Sequence, residues 1–489
     1  MDWIHSFFNI AFPPIIIFLH FLILPIYIPF KFLQFIKTSI TTQENLARKV
    51  VLITGAAQGI GEQLAYEYSR RGAFLALVDI KENFEDVRRR ALKLGSPDVI
   101  SIVADVTKVE DLDHLVNNAG IVILSKFEDI DHISDHKSIM DVNFWGTVNS
   151  IHFGIPHLKR TKGKIVVISS ISGWCPVPLV SIYSASKAAL INFCETLRNE
   201  VGSTIGITIV TPGLIGTKMT REQDIKLRLL IREESAERCA KAIVRSVCRG
   251  ESFLMEPRWL WWLFPARMIF PDLIDCCNSY LLNLIDQNSS TKKNSRGIGQ
   301  QLAYEYARRG AFLALVGVRD NLEEVTTTAR KLGSPAVDHL VNNAGIIILR
   351  KFEDIDDISN YKSIMDVNLW GTINSIHFAI PHLKRSKGKI VVISSVCGPC
   401  PLPFLSIYNA SKSALISFCE TLRIELGSTI GITIVTPGLI GTKLSRDLEI
   451  KLRSVIPEES AEECGKAIML ILGVENHEAD EELTTIFPL

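Results

Sequence analysis

The chain has 489 residues, enough for two or three domains with full-sized cores. Lysine plus arginine and aspartate plus glutamate both total 53, so the net charge is zero and no basic field draws nucleic acid. Hydrophobic residues make up 47%, a globular composition with an added apolar load. Cysteines recur in pairs at one offset (Cys175/Cys400, Cys194/Cys419, Cys239/Cys464), which reads as duplicated thiols in a reducing compartment, not as a disulfide framework. Cys397 and Cys400 form a lone CxxC with no second pair, so no metal site is expected.

In chain order, Ile10 to Phe30 comes first: 21 residues without Asp, Glu, Lys or Arg, long enough to cross a hydrocarbon core of roughly 30 Å. Pro13, Pro14, Pro25 and Pro29 interrupt it, so a spanning helix and a bent monotopic hairpin both fit. Lys31, Lys37, Arg48 and Lys49 all follow the segment, which places the bulk of the chain on the cytosolic side. Residues 1–45 are therefore expected to anchor the chain to a membrane or oil-body surface, with the catalytic part cytosolic.

From Lys49 strands and helices alternate. Lys49–Thr54 is a buried-strand run stopped by Gly55, and Gly59 and Gly61 open a helix, Glu62–Arg71. Ala73–Val78, Val99–Ala104, His114–Val116, Lys164–Ser169 and Gly206–Val210 follow as short apolar strands. This order predicts an α/β fold, a Rossmann-like doubly wound parallel sheet over residues 46–286. Gly55, Asp79, Asp105, Asn118, Ser170 and Pro212–Gly213 each sit just past a strand's C-terminal end, the edge along which such sheets bind ligands.

Thr54–Gly61 (TGAAQGIG) puts small residues where a backbone must approach a pyrophosphate, at a helix N-terminus with positive potential. Asp79 lies where a carboxylate bonds ribose hydroxyls and repels a 2′-phosphate, which favours NAD; Lys81 keeps NADP open. Tyr183 and Lys187 share one face of a predicted helix, Tyr183–Glu200, and Ser170 ends the preceding strand. The Lys187 ammonium, helped by a nearby nicotinamide cation, is expected to lower the phenol pKa and favour tyrosinate as base, with Ser170 donating to the substrate oxygen.

Thr54–Gly61, Asn117–Gly120 (NNAG), Asn143, Ser170, Tyr183/Lys187 and Pro212–Gly213 resemble the short-chain dehydrogenase/reductase pattern motif by motif. With the proline-broken anchor, the chain most resembles plant 11β-hydroxysteroid dehydrogenase-like proteins, including the steroleosins. The resemblance implies Tyr183 as catalytic acid/base, Ser170 as orienting the substrate oxygen, Lys187 on the nicotinamide ribose, and Asn143 holding a relay water. It implies Gly55, Gln58, Gly59, Ile60 and Gly61 at the cofactor phosphates, Asp105 at the adenine, and Asn118, Ala119 and Gly120 beside the cofactor. Pro212 and Gly213 would line the cofactor, and Thr217 would approach its carboxamide. The implied activity is NAD- or NADP-dependent oxidoreduction of a lipophilic alcohol or ketone, a steroid or sterol.

Two departures stand out. Only eight residues separate Asp105 from His114, where the family has a helix, so the sheet face it covers is expected to stay bare. The second departure is a repeat over residues 287–489. After a polar linker, Asp286–Asn294, the sequence resumes at Arg296–Gly299 without a counterpart of Gly55, and Gly317 replaces Asp79. From Asp338 the match is close, keeping Asn368, Ser395, Tyr408 and Lys412 as a degenerate, cofactor-poor second set. The duplicated helix at Tyr408 suggests an intrachain pseudo-dimer, with a homo-oligomer as the other arrangement. The competing functional class is a non-catalytic lipid-surface protein. Residues 254–285, with Trp259, Trp261 and Trp262, read as a membrane-dipping segment, a substrate gate or a core cap.

Overall fold

The structure, a computed structural model, describes residues 44–80, 85–102, 112–202, 204–222, 233–263, 313–315 and 339–438, with three isolated positions nearer the N-terminus. The apolar anchor segment, Asp105, the linker and the resumed glycine turn at 296–299 lie outside the described residues, as does Gly317. No helix among the described residues is long and apolar enough to cross a membrane.

The β-branched runs form β1 (Val50–Thr54), β2 (Phe74–Val78), β3 (Val99–Ile102), β4 (His114–Asn117), β5 (Lys164–Ile168), β6 (Gly206–Pro212) and β7 (Phe253–Glu256). They make one seven-stranded sheet in the order β3-β2-β1-β4-β5-β6-β7, with every pairing parallel. The order reverses between β1 and β4, which opens the crevice at their C-terminal ends. β7 was not anticipated: its four residues are too short to stand out, and pairing with β6 makes the strand. The same pairing extends β6 past the expected Val210, since Thr211 and Pro212 lie opposite Met255 and Glu256.

Helices α1 (Gly59–Ser69), α2 (Glu85–Lys93), α3 (Gly146–Thr161), α4 (Ser181–Val201) and α5 (Ala236–Cys248) cover the sheet. Because side chains alternate along a strand, Val51 and Ile53 bury against Leu64, Val87 and Ile243 of α1, α2 and α5. Leu52 points the other way, into the cluster holding Ile151 of α3 and Leu197 of α4. This second face is the one the short β3–β4 connection was expected to leave bare. It is bare only in part: Ile100 on β3 is 57% exposed, while its neighbours across the sheet, Ala76 and Leu52, are buried.

Four further parallel strands, β8 (Leu313–Leu315), β9 (His339–Asn342), β10 (Lys389–Ile393) and β11 (Gly431–Val435), form a second sheet in that order. β9, α6 (Gly371–Ser386), β10, α7 (Ser406–Leu426) and β11 repeat β4, α3, β5, α4 and β6 of the first copy. α4 and α7 pack together, and one apolar cluster runs through both copies. The contacts come in reciprocal pairs. Phe127 meets Phe418 edge-on with centroids 5.0 Å apart, and Phe193 meets Phe352 at 4.9 Å. Lys159 pairs with Glu353, and Lys384 with Glu128. Glu425 accepts the Phe127 and Leu179 N–H groups, and Glu200 accepts those of Phe352 and Phe404. Small buried residues on α4 (Ser184, Ala185, Ala188, Ala189) permit this close approach, because the helix is covered by its own sheet on one side and by α7 on the other.

Candidate active site

The glycine turn joins β1 to α1. Gly55 has φ +65°, and a Cβ there would lie 2.8 Å from the Ala119 Cα. A Cβ on Gly61 would lie 2.1 Å from the Gly55 carbonyl oxygen, so α1 starts hard against the end of β1. Gln58 is the N-cap and makes no side-chain cap bond, while Ile60 packs inward on the α1 side of the sheet. Sequence reasoning began this helix at Glu62; it begins at Gly59, which brings the helix N-terminus into the crevice.

Asn118 ties the turn to β4. Its Nδ2 donates to the Thr54 and Gly55 carbonyls at 3.1 and 3.0 Å, and the Asn118 and Ala119 N–H groups donate to Thr54 Oγ1 at 3.0 and 3.1 Å. Asp79, at the end of β2, accepts the Ala57 N–H through Oδ2 at 2.9 Å, so the carboxylate abuts the turn. Thr217 also reaches the turn: a Cβ on Gly59 would lie 3.3 Å from its Cγ2. Gly213, after Pro212, donates its N–H to the Glu256 carbonyl at 2.8 Å, which fixes the end of β6 against β7.

The other residues converge beside Gly120, whose Cβ would stand 3.2 Å from Asn143 Oδ1 and 3.4 Å from Lys187 Nζ. Asn143 lies in a π-helical turn, Asp141–Trp145, ahead of α3; such insertions re-aim side chains at functional sites. Its Nδ2 donates to the Ile121 carbonyl and to Ser186 Oγ, both at 3.0 Å, and its Oδ1 accepts the Ile121 N–H at 2.8 Å. Both amide protons are thus used, and one Oδ1 lone pair is left for a further donor. Ser186 was not singled out from sequence; its place between Tyr183 and Lys187 on the helix was the available signal.

Ser170 follows β5 and accepts the Ser172 N–H at 3.2 Å. It also bonds the Tyr183 hydroxyl, which lowers that phenol's pKa. Burial is the larger influence and pushes Tyr183 up to about 12. Among the protein's own groups, Lys187 does not offset that rise. The Lys187 ammonium lies over the ring, 5.6 Å from its centroid, and donates to the Ile168 carbonyl at 2.9 Å. Burial lowers its own pKa to about 8.

The second copy repeats this arrangement. Asn368 bonds Ile346 and Ser411, Lys412 donates to the Ile393 carbonyl at 3.1 Å, and Cys397 donates its N–H to Ser395 Oγ at 3.1 Å. Burial pushes Tyr408 up to about 12 and Lys412 down to about 8, as in the first copy.

The family model for short chain dehydrogenases matches residues 49–227 and again 320–452. The chain belongs to the short chain dehydrogenase family. It is 45% identical to 11-beta-hydroxysteroid dehydrogenase-like 3 of Arabidopsis thaliana over 298 residues, covering 58% of this chain and 96% of the relative. It is 43% identical to 11-beta-hydroxysteroid dehydrogenase A of Sesamum indicum over 312 residues, covering 56% and 87%. A crystal structure of a short chain dehydrogenase from Burkholderia cenocepacia in complex with NADP aligns at a TM-score of 0.42 and 22% identity, over 48% of this chain and 99% of the other. Membership in the family makes the chain an oxidoreductase, and the two family matches span β1 to β6 of the first sheet and β9 to β11 of the second.

Proposed function

We propose that the first copy interconverts a secondary alcohol and a ketone on a lipophilic, steroid-like substrate with NAD or NADP, and that the second copy does not turn over. One observation carries this reading: Ser170, Tyr183, Lys187 and Asn143 meet at the carboxyl edge of the sheet, next to a glycine turn whose Gly55 and Gly61 leave no room for a Cβ. The names of the plant relatives support the substrate class.

The residues present fit a nicotinamide dinucleotide. Gly55 to Gly61 and the α1 N-terminus would hold its phosphates, Asp79 its adenosine ribose, Asn118–Gly120 and Lys187 the nicotinamide half, and Thr217 the carboxamide. When bound, the cofactor supplies or accepts the hydride and, when oxidised, adds a positive charge. Tyr183, protonated at neutral pH with its pKa near 12, gives its proton to the ketone oxygen in reduction. In oxidation the tyrosinate, which the Lys187 ammonium and the positive charge of an oxidised cofactor would favour, takes the hydroxyl proton as the carbinol carbon gives up hydride. Ser170 donates to the substrate oxygen, and Asn143 holds the segment at Ile121 while its Oδ1 accepts one further donor. Asp79 abutting the turn favours NAD over NADP.

In the same proposal the N-terminal apolar segment holds the chain at an endoplasmic-reticulum or lipid-droplet surface, with the site in the cytosol. Trp259, Trp261 and Trp262 are 54%, 46% and 77% exposed, a patch that suits contact with lipid. The two copies take the place of the subunits of a dimer. A second reading, a lipid-surface scaffold without turnover, draws on the same tryptophans and on the exposed Ile100. Quenching of protein fluorescence by NADH and NADPH separates the two, since no binding leaves only the scaffold. Tyr183→Phe should abolish steroid turnover and Tyr408→Phe should leave it unchanged; full activity in the first variant removes the assigned acid/base.

A further inference from the structure

Resting on the oxidoreductase reading, we infer that Glu425, a residue of the second copy, positions the first copy's substrate site by fastening the loop between Ser170 and Tyr183. Glu425 sits in the last turn of α7 and is buried. Its Oε1 accepts the Leu179 N–H at 2.9 Å and its Oε2 the Phe127 N–H at 2.8 Å.

These N–H groups belong to the two segments that frame the site. Phe127 ends the stretch that leaves β4 through Asn118, Gly120 and Ile121. Leu179 lies two residues before α4, in the loop that carries the chain from Ser170 to Tyr183. The segments also bond each other, the Ser125 N–H donating to the Leu179 carbonyl at 3.0 Å. Leu179 has φ +70°, a conformation that leucine adopts only when its surroundings impose it. Here both of its backbone polar groups are held, the carbonyl by Ser125 and the N–H by Glu425.

The arrangement has a mirror. Glu200, at the end of α4, accepts the Phe352 and Phe404 N–H groups at 2.6 and 2.9 Å, Arg350 donates its N–H to the Phe404 carbonyl at 2.9 Å, and Phe404 has φ +67°. Each copy therefore fastens the other's loop. Only the first copy follows a complete glycine turn, so only the Glu425 half of the exchange serves a working site. The second copy, poor as an enzyme, keeps a role as an internal subunit.

The test compares Glu425→Ala, Glu425→Gln and Glu200→Ala in the full chain, with an 11β-hydroxysteroid and NAD or NADP as probes. Glu425→Ala should raise the steroid KM about tenfold while the cofactor dissociation constant stays within about twofold. Glu425→Gln, which keeps one acceptor oxygen, should fall between it and wild type, and it decides the matter if the alanine variant does not fold. Glu200→Ala should leave the steroid KM within about twofold. Hydrogen exchange at the Leu179 and Phe127 amides, referred to core amides of β1 and β4, should quicken about tenfold in the Glu425 variants only. An unchanged KM, or an equal rise in the Glu200 and Glu425 variants, overturns the assignment. If wild type turns over no steroid, the enzymatic reading fails by itself, and the exchange measurement still decides whether Glu425 fastens the loop: unaltered exchange at Leu179 ends the idea.

Discussion

Replacing Gly61 by alanine tests the proposed cofactor site most directly. The added methyl would lie 2.1 Å from the Gly55 oxygen, 2.6 Å from Asn118 Nδ2 and 2.9 Å from the Gly55 carbonyl carbon. Two of those atoms are backbone, so no side-chain rotation relieves the clash; the first contact must open by about 1 Å to reach an ordinary close approach. Either the α1 N-terminus retreats from β1 or the Asn118–Gly55 bond breaks, and both displace the N–H groups proposed to meet the pyrophosphate. Overpacking of this kind costs about 1–3 kcal/mol of stability. A displacement near 1 Å at a positioning element costs up to about a hundredfold in function. We expect NADH and NADPH to bind at least about tenfold more weakly, some 1.4 kcal/mol, in fluorescence titration. Gly202→Ala is the matched control. Gly202 has φ +58° with ψ −137° and open space around it, so alanine there adds backbone strain of about 1–3 kcal/mol and leaves cofactor affinity alone. Cofactor binding by Gly61→Ala within about twofold of wild type refutes the phosphate-cradle argument.

Asp79→Ala should raise the NADPH-to-NADH affinity ratio about tenfold by removing the charge that opposes a 2′-phosphate; an unmoved ratio in the same titration counts against its role. Burial pushes the Glu425 carboxyl up to about 7 against the pull of its two N–H donors, with Glu128 adding to the rise and Lys126 opposing it. The fold therefore favours the protonated acid: this stabilisation is complete below about pH 4.5 and is lost as pH rises through about 7, up to about 3 kcal/mol in all. Thermal melts of wild type and Glu425→Gln should accordingly diverge in their pH dependence between pH 5 and 8, and parallel curves would show that another group is responsible. Phe418→Ala, emptying a fully buried site between the copies, should cost about 3–5 kcal/mol by denaturant unfolding, whereas a cost near zero would mean that the copies do not share a core.

The first copy's strands, its glycine turn and the Ser170–Tyr183–Lys187 spacing were legible in the sequence because each is local. A strand shows as an apolar run, a phosphate turn needs glycines where backbone crosses backbone, and helical periodicity puts Tyr183 and Lys187 on one face. The duplication was equally plain, and with it the family. β7 was not legible, since Phe253–Glu256 becomes a strand only by lying along β6. The rise in the Tyr183 pKa was not legible, because sequence gives the identity of a neighbouring charge but not how deeply the phenol is buried. Glu200 and Glu425 passed unnoticed although they recur at the same point of the duplicated helix.

Composition, spacing and repetition thus decided which kind of chain this is: two α/β copies of one family, one with a whole glycine turn. Tertiary structure alone decided that the copies lie against each other through α4 and α7, and that each lends a carboxylate to the other's loop. The physical reason is range. Hydrogen bonds between residues such as Leu179 and Glu425, 246 apart in the chain, have no local periodicity to announce them and exist only once both helices are packed.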